Sequence, residues 1–363
     1  MKKGKIIIVG ATGVIGNAAL ERFVSSGWDV ISVSRRKPEC KSGSFKHISI
    51  DLTKKNECNK IFSSISDITH VLYTALFEKP GLILGWYEED QMQTNLEMMQ
   101  NIMEPISASN PGLKHVSFLQ GTKAYGVHHH SISIPAKESR SRDDHENFYW
   151  FQEDYIKSLQ KDSNWTWTIF RPQIVFGYSY GTAMNLIPII GIYAAICNET
   201  KKPFSFPGRS DVILEAVDAR LIAKACEWAA FNKESENQIF NITNGDVFTW
   251  GDVWSTISQS LNVSPGPDDQ IQLSAWLPKQ SKIWESIVDK YDLKKNKLSE
   301  MLGESHYYAD FCFGHGVAEN IKAALVSTIK LRQAGFHECI DTEEMFKELF
   351  NEFQERKILP KLN

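Results

Sequence analysis

The sequence lacks a basic surplus, paired cysteines and any apolar run long enough to cross a bilayer, and each absence removes a class of function. Its 363 residues carry 40 Lys and Arg against 44 Asp and Glu, a formal net charge of −4. With no global positive excess to neutralise phosphates, a nucleic-acid protein is not expected. The six cysteines (Cys40, Cys58, Cys197, Cys226, Cys312 and Cys339) are scattered and form no C-x-x-C pair. A chain this long needs no disulfide staples, so reduced thiols and a cytoplasmic location are expected. The apolar run at 185–197 is interrupted by Pro188 and falls short of the ~20 residues that a membrane helix requires, so no membrane partner is expected. Met1-Lys2-Lys3 followed by Ile6-Ile7-Ile8-Val9 superficially resembles a signal peptide, but that run ends in a glycine pattern with its own structural purpose. Internal repeats and low-complexity segments are missing too.

What is present is ordinary for a globular chain able to bury a core: 42% hydrophobic and 23% charged residues. The length corresponds to about two domains of roughly 150 residues. Short apolar runs at 5–10, 30–34, 45–50, 70–75, 114–120 and 166–171 read as strands. Several are nearly continuous in Ile, Val, Leu and aromatics, as expected when both faces of a sheet are covered. Helical patterns at 14–26, 54–64, 89–109 and 148–161 lie between them. Strand and helix in alternation predict an α/β fold built on a doubly wound parallel sheet. The rhythm breaks after Arg171, returns with a helix at 218–231 and a strand at 238–242, and becomes helical from Trp250, with amphipathic helices near 280–290, 319–333 and 342–356. This predicts a nucleotide domain over 1–177 with 212–248 returning to it. A smaller, mostly helical substrate domain is expected from 178–211 and 249–363.

The first strand ends at Gly10 and continues Ala11-Thr12-Gly13-Val14-Ile15-Gly16. Glycines spaced three and three let the backbone turn sharply, approach a pyrophosphate and pack the helix on the strand, the Rossmann dinucleotide arrangement. An acidic residue some 20 positions past the glycines would hold the ribose 2′-hydroxyl of NAD. That place holds Ser34-Arg35-Arg36, and two guanidiniums suit a 2′-phosphate, so NADPH is the expected cofactor. Asp51 is placed to contact the adenine amino group, although an ordinary strand-end turn would use Asp too.

Short-chain dehydrogenases usually carry Tyr-x-x-x-Lys on one helix. The only such spacing here, Tyr291 to Lys295, lies far beyond the sheet and reads as coincidence; in the expected helix Glu153 stands where Lys would be. The segments Gln120-Gly121-Thr122-Lys123-Ala124-Tyr125 and Asn147-Phe148-Tyr149-Trp150-Phe151-Gln152-Glu153-Asp154 resemble the progesterone 5β-reductase/iridoid synthase-like branch of the short-chain dehydrogenases. That family has Lys in a G-x-K-x-Y segment and Tyr in N-F-Y-Y-x-x-E-D; Trp150 replaces its second Tyr. Residues 10–17, Arg35-Arg36, His70-Val71, Arg171-Pro172, Phe176-Gly177, Met184-Asn185-Leu186, 193–197 and 241–248 also resemble it. The resemblance covers most of the chain and weakens after Trp254. It implies an extended short-chain dehydrogenase fold and NADPH-dependent reduction of the C=C bond of an enone or enal, with Lys123 and Tyr149 catalytic. A carbonyl reductase, a sugar-nucleotide epimerase and a non-catalytic NADP-binding sensor are the alternatives. Fixed Tyr and Lys donors suit an enolate oxygen, and the cation is expected to lower the Tyr pKa.

The expected cofactor set adds Leu52, Thr74, Ala75, Gln120, Tyr149, Pro172, Ile174 and Val175 to the glycine loop, Ser34, the arginines and Asp51. The substrate pocket is expected to include Tyr125, Met184 and Ala324, the last at the helix position where the plant enzymes place a pocket Phe. Ile187, Ile190, Tyr193 and Trp276 are further apolar candidates, which helix core explains equally well. A stripe of Phe148, Phe151, Tyr155 and Leu159 is assigned to core, with Tyr149 about 100° round from it. His128-His129-His130 is not expected to bind metal, because consecutive side chains in a loop diverge and no Cys or acidic partner sits at ligand spacing. A small-molecule enone or enal is the expected partner, and a homodimer is one assembly open to the chain.

Overall fold

The computed structural model describes residues 3–316 and 323–362. Its centre is a sheet of seven parallel strands: β1 (Lys5–Val9), β2 (Asp29–Ser34), β3 (Lys46–Ser49), β4 (His70–Tyr73), β5 (His115–Leu119), β6 (Thr166–Pro172) and β7 (Gln238–Ile242). They lie in the order β7-β6-β5-β4-β1-β2-β3. Six helices carry the argument: α1 (Val14–Ser25), α2 (Lys55–Phe62), α3 (Glu89–Ser109), α4 (Phe148–Gln160), α5 (Leu186–Glu199) and α6 (Ala219–Ala229). The chain runs outward through β2 and β3 on one side of β1 and through β4 to β7 on the other. At such a reversal the carboxyl ends of the strands leave a crevice, the general ligand site of open α/β sheets.

Alternation along β1 explains the layers, because successive strand side chains point to opposite faces. Ile7 and Val9 join a core with Phe62, Met99, Ile102 and Ile156 from α2, α3 and α4, whereas Ile6 and Ile8 meet Leu20, Phe23, Leu221 and Ile222 from α1 and α6. A third core surrounds α5, whose residues from Leu186 to Cys197 are all buried. Pro188 sits in the first turn of α5, where a missing N–H is harmless. Helices Trp250–Ser260, Ser281–Lys290, Ser305–Cys312 and Thr342–Glu355 supply much of the rest of that core.

Polar seams join the two regions. Ser179 Oγ donates to Thr12 O at 2.8 Å in the glycine loop, and Asn185 Nδ2 donates to Gly177 O at 2.9 Å and Ser179 O at 2.6 Å. Thr342 Oγ1 donates to Asp246 Oδ1 at 2.6 Å and accepts from the buried Asn244 Nδ2 at 3.1 Å.

Three expectations change. The helix predicted over 319–333 is present only as Ile329–Gln333, with residues 319–322 outside those described and 323–328 irregular. Small pairings appear that no periodicity marks, Ile174–Phe176 with Ala216–Asp218 and Ile213–Leu214 with Phe248–Thr249. On α4 the buried face includes Tyr149, Gln152, Glu153 and Ile156, while Phe151, Tyr155 and Leu159 are half-buried. Phe148 of the apolar stripe is buried too, and the stripe is incomplete because two polar residues turn inward with their hydrogen bonds satisfied: Gln152 Nε2 donates to Asn95 O at 2.9 Å, and Glu153 anchors the network described below.

Candidate active site

The glycine loop turns directly from β1 into α1. Gly10 adopts φ +84°, a region natural for glycine, and a Cβ there would come within 2.7 Å of the Ala75 nitrogen at the end of β4. A Cβ on Gly16 would overlap the Gly10 carbonyl. Gly13 occupies the N-cap of α1 with no side chain to satisfy the first amides. This leaves helix N–H groups and a side-chain-free cradle at the crevice, the surroundings that a pyrophosphate needs. Val14 and Ile15 open the helix, and Thr74 Oγ1 pins the neighbouring strand by donating to Val9 O at 2.7 Å.

At the end of β2, Ser34 Oγ donates to Arg36 O at 2.6 Å and Ser49 Oγ donates to Arg35 O at 2.8 Å. The turn is thereby held while both guanidinium side chains stay exposed, and among the described residues neither closes an ion pair. Asp51 Oδ1 accepts from Thr53 N at 3.0 Å and Thr53 Oγ1 at 2.9 Å. The Thr53 amide, followed by Arg35 and Lys54 among other causes, holds the Asp51 carboxyl below its ordinary value. That is the ordinary strand-end turn; Leu52 beside it is buried.

Lys123 and Tyr149 are brought together by one residue. Lys123 lies in a short turn, Thr122–Tyr125, just past β5. Asn147, the N-cap of α4, accepts from Tyr149 N at 3.0 Å through Oδ1 and donates to Lys123 O at 3.3 Å through Nδ2. Capping of this type fixes a helix start, and here the same side chain fixes the lysine turn. Lys123 Nζ stands 4.1 Å from the centre of the Trp86 ring, 5.8 Å from Phe148 and 5.9 Å from Tyr149. Its nearest carboxylate is Glu78, with Oε1 3.9 Å away, buried and without a hydrogen-bond partner. Gly121 gives room for the phenol, since a Cβ there would lie 3.1 Å from Tyr149 Oη.

Burial dominates the electrostatics of this group. It lowers the Lys123 pKa, with Glu78 acting in the opposite direction, and it raises that of Glu78, with Lys123 and Gln91 opposing. Tyr149 is pushed well above the ordinary phenol value by burial and then by Glu78, with Arg171 opposing. This corrects the expected lowering: desolvation of the phenolate outweighs the nearby cations. Tyr149 is therefore a protonated donor at neutral pH.

Glu153, at the position where short-chain dehydrogenases usually carry Lys, is fully engaged. It accepts from Gln120 Nε2 at 2.9 Å and Lys157 Nζ at 2.6 Å and pairs with Arg142 at 2.9 Å. Arg171 Nε donates to Gln120 Oε1 at 2.7 Å, so Gln120 is held from both ends. Pro172, Ile174 and Val175 follow directly along the chain. Tyr125 donates to Asn241 Oδ1 at 2.6 Å and packs with Ala324, Ile132 and Val326 in a small apolar cluster. Ala324 lies in an irregular segment and accepts through its carbonyl from Gln173, so the expected helix position does not exist. Met184 is half-buried immediately before Asn185. Ile187, Ile190 and Tyr193 are core, and Trp276 packs edge-on against Tyr193 at 5.5 Å.

Sequence reasoning missed the neighbours that surround the pair. Glu78 and Trp86 come from the segment after β4, and Phe311 meets Trp86 edge-on at 5.4 Å. Tyr308 on the same helix is raised by burial first, then by Cys312, and also by Tyr149. A Glu304 carboxylate oxygen accepts from Gly81 N at 2.8 Å, tying that helix to the segment. Position at the carboxyl edge of the sheet was the one available signal for Glu78.

The histidine run also departs from expectation. His128 and His129 do not diverge: their rings are 4.2 Å apart, and His145 stands 5.1 and 4.9 Å from them. The reason is a tight turn, with His129 N and His130 N both donating to Gly126 O. Asp143 supplies the acidic neighbour that local spacing did not reveal, 2.8 Å from His145 Nδ1.

Residues 6–243 match the model of the NAD dependent epimerase/dehydratase family. The (S)-8-oxocitronellyl enol synthase of Antirrhinum majus is 28% identical over 377 aligned positions, covering 98% of this chain and 92% of that protein. The 3-oxo-Delta(4,5)-steroid 5-beta-reductase of Arabidopsis thaliana is 27% identical over 376, with the same coverage. Among solved structures, the UDP-glucose 4-epimerase of Thermotoga maritima superposes with a TM-score of 0.68 at 14% identity, over 97% of this chain and 99% of that one. That likeness is one of fold.

Proposed function

Since the chain belongs to the NAD dependent epimerase/dehydratase family, we propose that it is an NADPH-dependent reductase acting on the C=C bond of an activated enone or enal. It is an oxidoreductase similar over nearly its whole length to an enol synthase and a steroid 5-beta-reductase. The observation that carries the finer reading is the pairing of Lys123 with Tyr149 across Asn147, while Glu153 takes the ordinary lysine position and is bound to other partners.

The cradle at Gly10, Gly13 and Gly16 and the exposed Arg35 and Arg36 fit a dinucleotide with a 2′-phosphate. NADPH, when bound, supplies a hydride. Reduction at the β-carbon leaves negative charge on the substrate's carbonyl oxygen. Tyr149, kept protonated by burial, donates its O–H to that oxygen, and the Lys123 ammonium adds positive charge in a site largely shut from water. Trp86, Phe148 and the Tyr149 ring hold the ammonium in place. Glu153, tied to Gln120 and Arg142, stabilises the start of α4 instead of taking part in proton transfer.

The test is regiochemical. NADPH deuterated on its transferred face, given with small enals, cyclic enones, steroid enones and saturated ketones, should place the label at the β-carbon and leave saturated ketones untouched. Label on the carbinol carbon, or brisk reduction of saturated ketones, would overturn this reading in favour of a carbonyl reductase.

A further inference from the structure

We propose that His128, His129 and His145 form a binding site for one divalent transition ion of the zinc class, beside the reaction centre. One donor nitrogen from each residue can be chosen so that all lie within 4.8 Å of one another. Bonds of ~2.0–2.1 Å in a tetrahedral site set donors roughly 3.4 Å apart. The rings therefore need to close by at most about 1.4 Å, which side-chain rotation in two loops supplies.

The second observation is an unsatisfied group. Both ring nitrogens of His128 are buried and lack hydrogen-bond partners, an uncommon state for a buried polar side chain. An ion would satisfy one of them. Asp143 Oδ1 at 2.8 Å from His145 Nδ1 gives the carboxylate–histidine support typical of metal ligands, and it leaves Nε2 as the donor. That nitrogen now faces Asn147 Nδ2 at 3.2 Å, a contact the ion would replace. His130 is excluded from the set because it turns to Asp143, at 2.9 Å, with its side chain 50% exposed. Three imidazoles select a borderline ion such as Zn²⁺ or Co²⁺ over Mg²⁺ or Ca²⁺. His129 is exposed, so at least one coordination position faces water. The site is one ring removed from Lys123, because His128 meets Trp86 edge-on at 6.2 Å and Lys123 lies over that same Trp86.

The experiment uses the whole chain, freed of metal by a chelator and titrated with Co²⁺ and then Zn²⁺. One Co²⁺ per chain should bind with the intense visible absorption of a low-coordinate ion, and Zn²⁺ should displace it. Tryptophan emission should change in step, because Trp150 Nε1 donates to His145 O at 3.1 Å. His129→Gln, at an exposed position, and His145→Gln should each weaken binding tenfold or more, with His130→Gln binding as the unmodified protein does. Absence of a saturable one-to-one site overturns the proposal. So does unchanged affinity in both His129→Gln and His145→Gln, or an equal loss in His130→Gln. These readouts are independent of reductase turnover.

Discussion

Replacing Glu78 with Gln tests whether the buried carboxylate keeps Lys123 charged. Gln preserves the volume and can still accept from Gln91 Nε2, which now donates to Glu78 Oε2 at 2.6 Å. Only the charge is removed. With Glu78 Oε1 at 3.9 Å from Lys123 Nζ, two unit charges attract by about 4 kcal/mol at an effective dielectric constant of ~20. The sign is downward: without its carboxylate partner the ammonium loses its proton at lower pH, and burial already depresses it. The alkaline limb of kcat for NADPH-dependent enone reduction should therefore move to lower pH, while the rate on the acid side changes little. Initial rates from neutral to alkaline pH, compared with the unmodified protein, give the answer. Coincident alkaline limbs would refute the argument, since they would mean that Glu78 carries no charge when the enzyme works.

Other substitutions probe the remaining elements. Lys123→Met and Tyr149→Phe should each lower kcat by ~10²–10³, the usual loss for one oxyanion donor, with NADPH affinity by fluorescence titration within a few-fold; normal turnover in both would remove them from the site. Arg35→Ala with Arg36→Ala should abolish most of the preference for NADPH, because charge-assisted bonds contribute roughly 1.5–3 kcal/mol each; equal kcat/KM for NADPH and NADH in the unmodified protein would contradict it. Glu215 is buried, accepts from Val326 N at 2.7 Å and is raised by burial from 4.5 to about 7. Its folded value exceeds its unfolded one, so the stability it contributes is complete below about 4.5 and is lost as pH rises through about 7. Glu215→Gln should flatten denaturant-measured stability across that window by about 3 kcal/mol; parallel pH profiles would count against it.

The readable parts of the sequence were those whose information is local. Apolar runs marked all seven strands because both sheet faces are covered, and the glycine spacing marked the turn that only small residues allow. Resemblance of two short segments led to Lys123 and Tyr149. Glu78, Trp86 and Tyr308 carry no such signal, since they come to the pair from segments distant from it in sequence. Hydrophobic spacing placed Phe148 in the core with Phe151, Tyr155 and Leu159 packed against it, but missed Gln152 and Glu153, which are buried with their polar atoms satisfied. The histidine expectation failed for a related reason: divergence of neighbours along a chain says nothing about a ring from a second loop or a turn held by one carbonyl.

The contact between Gly81 and Glu304 is one of several that fix the wall beside Trp86. Parting the two regions along Thr342 and Asp246 would strand buried Asn244 and Thr342, at about 1–3 kcal/mol for each unsatisfied group. Lifting the Ser305–Cys312 helix breaks more: the bond from Gly81 N, the buried bond from Asn185 N to Ser305 Oγ at 2.9 Å and that from Leu273 N to Asp310 Oδ1 at 2.8 Å, besides sliding Phe311 off Trp86, so the wall beside Trp86 is held at several points at once.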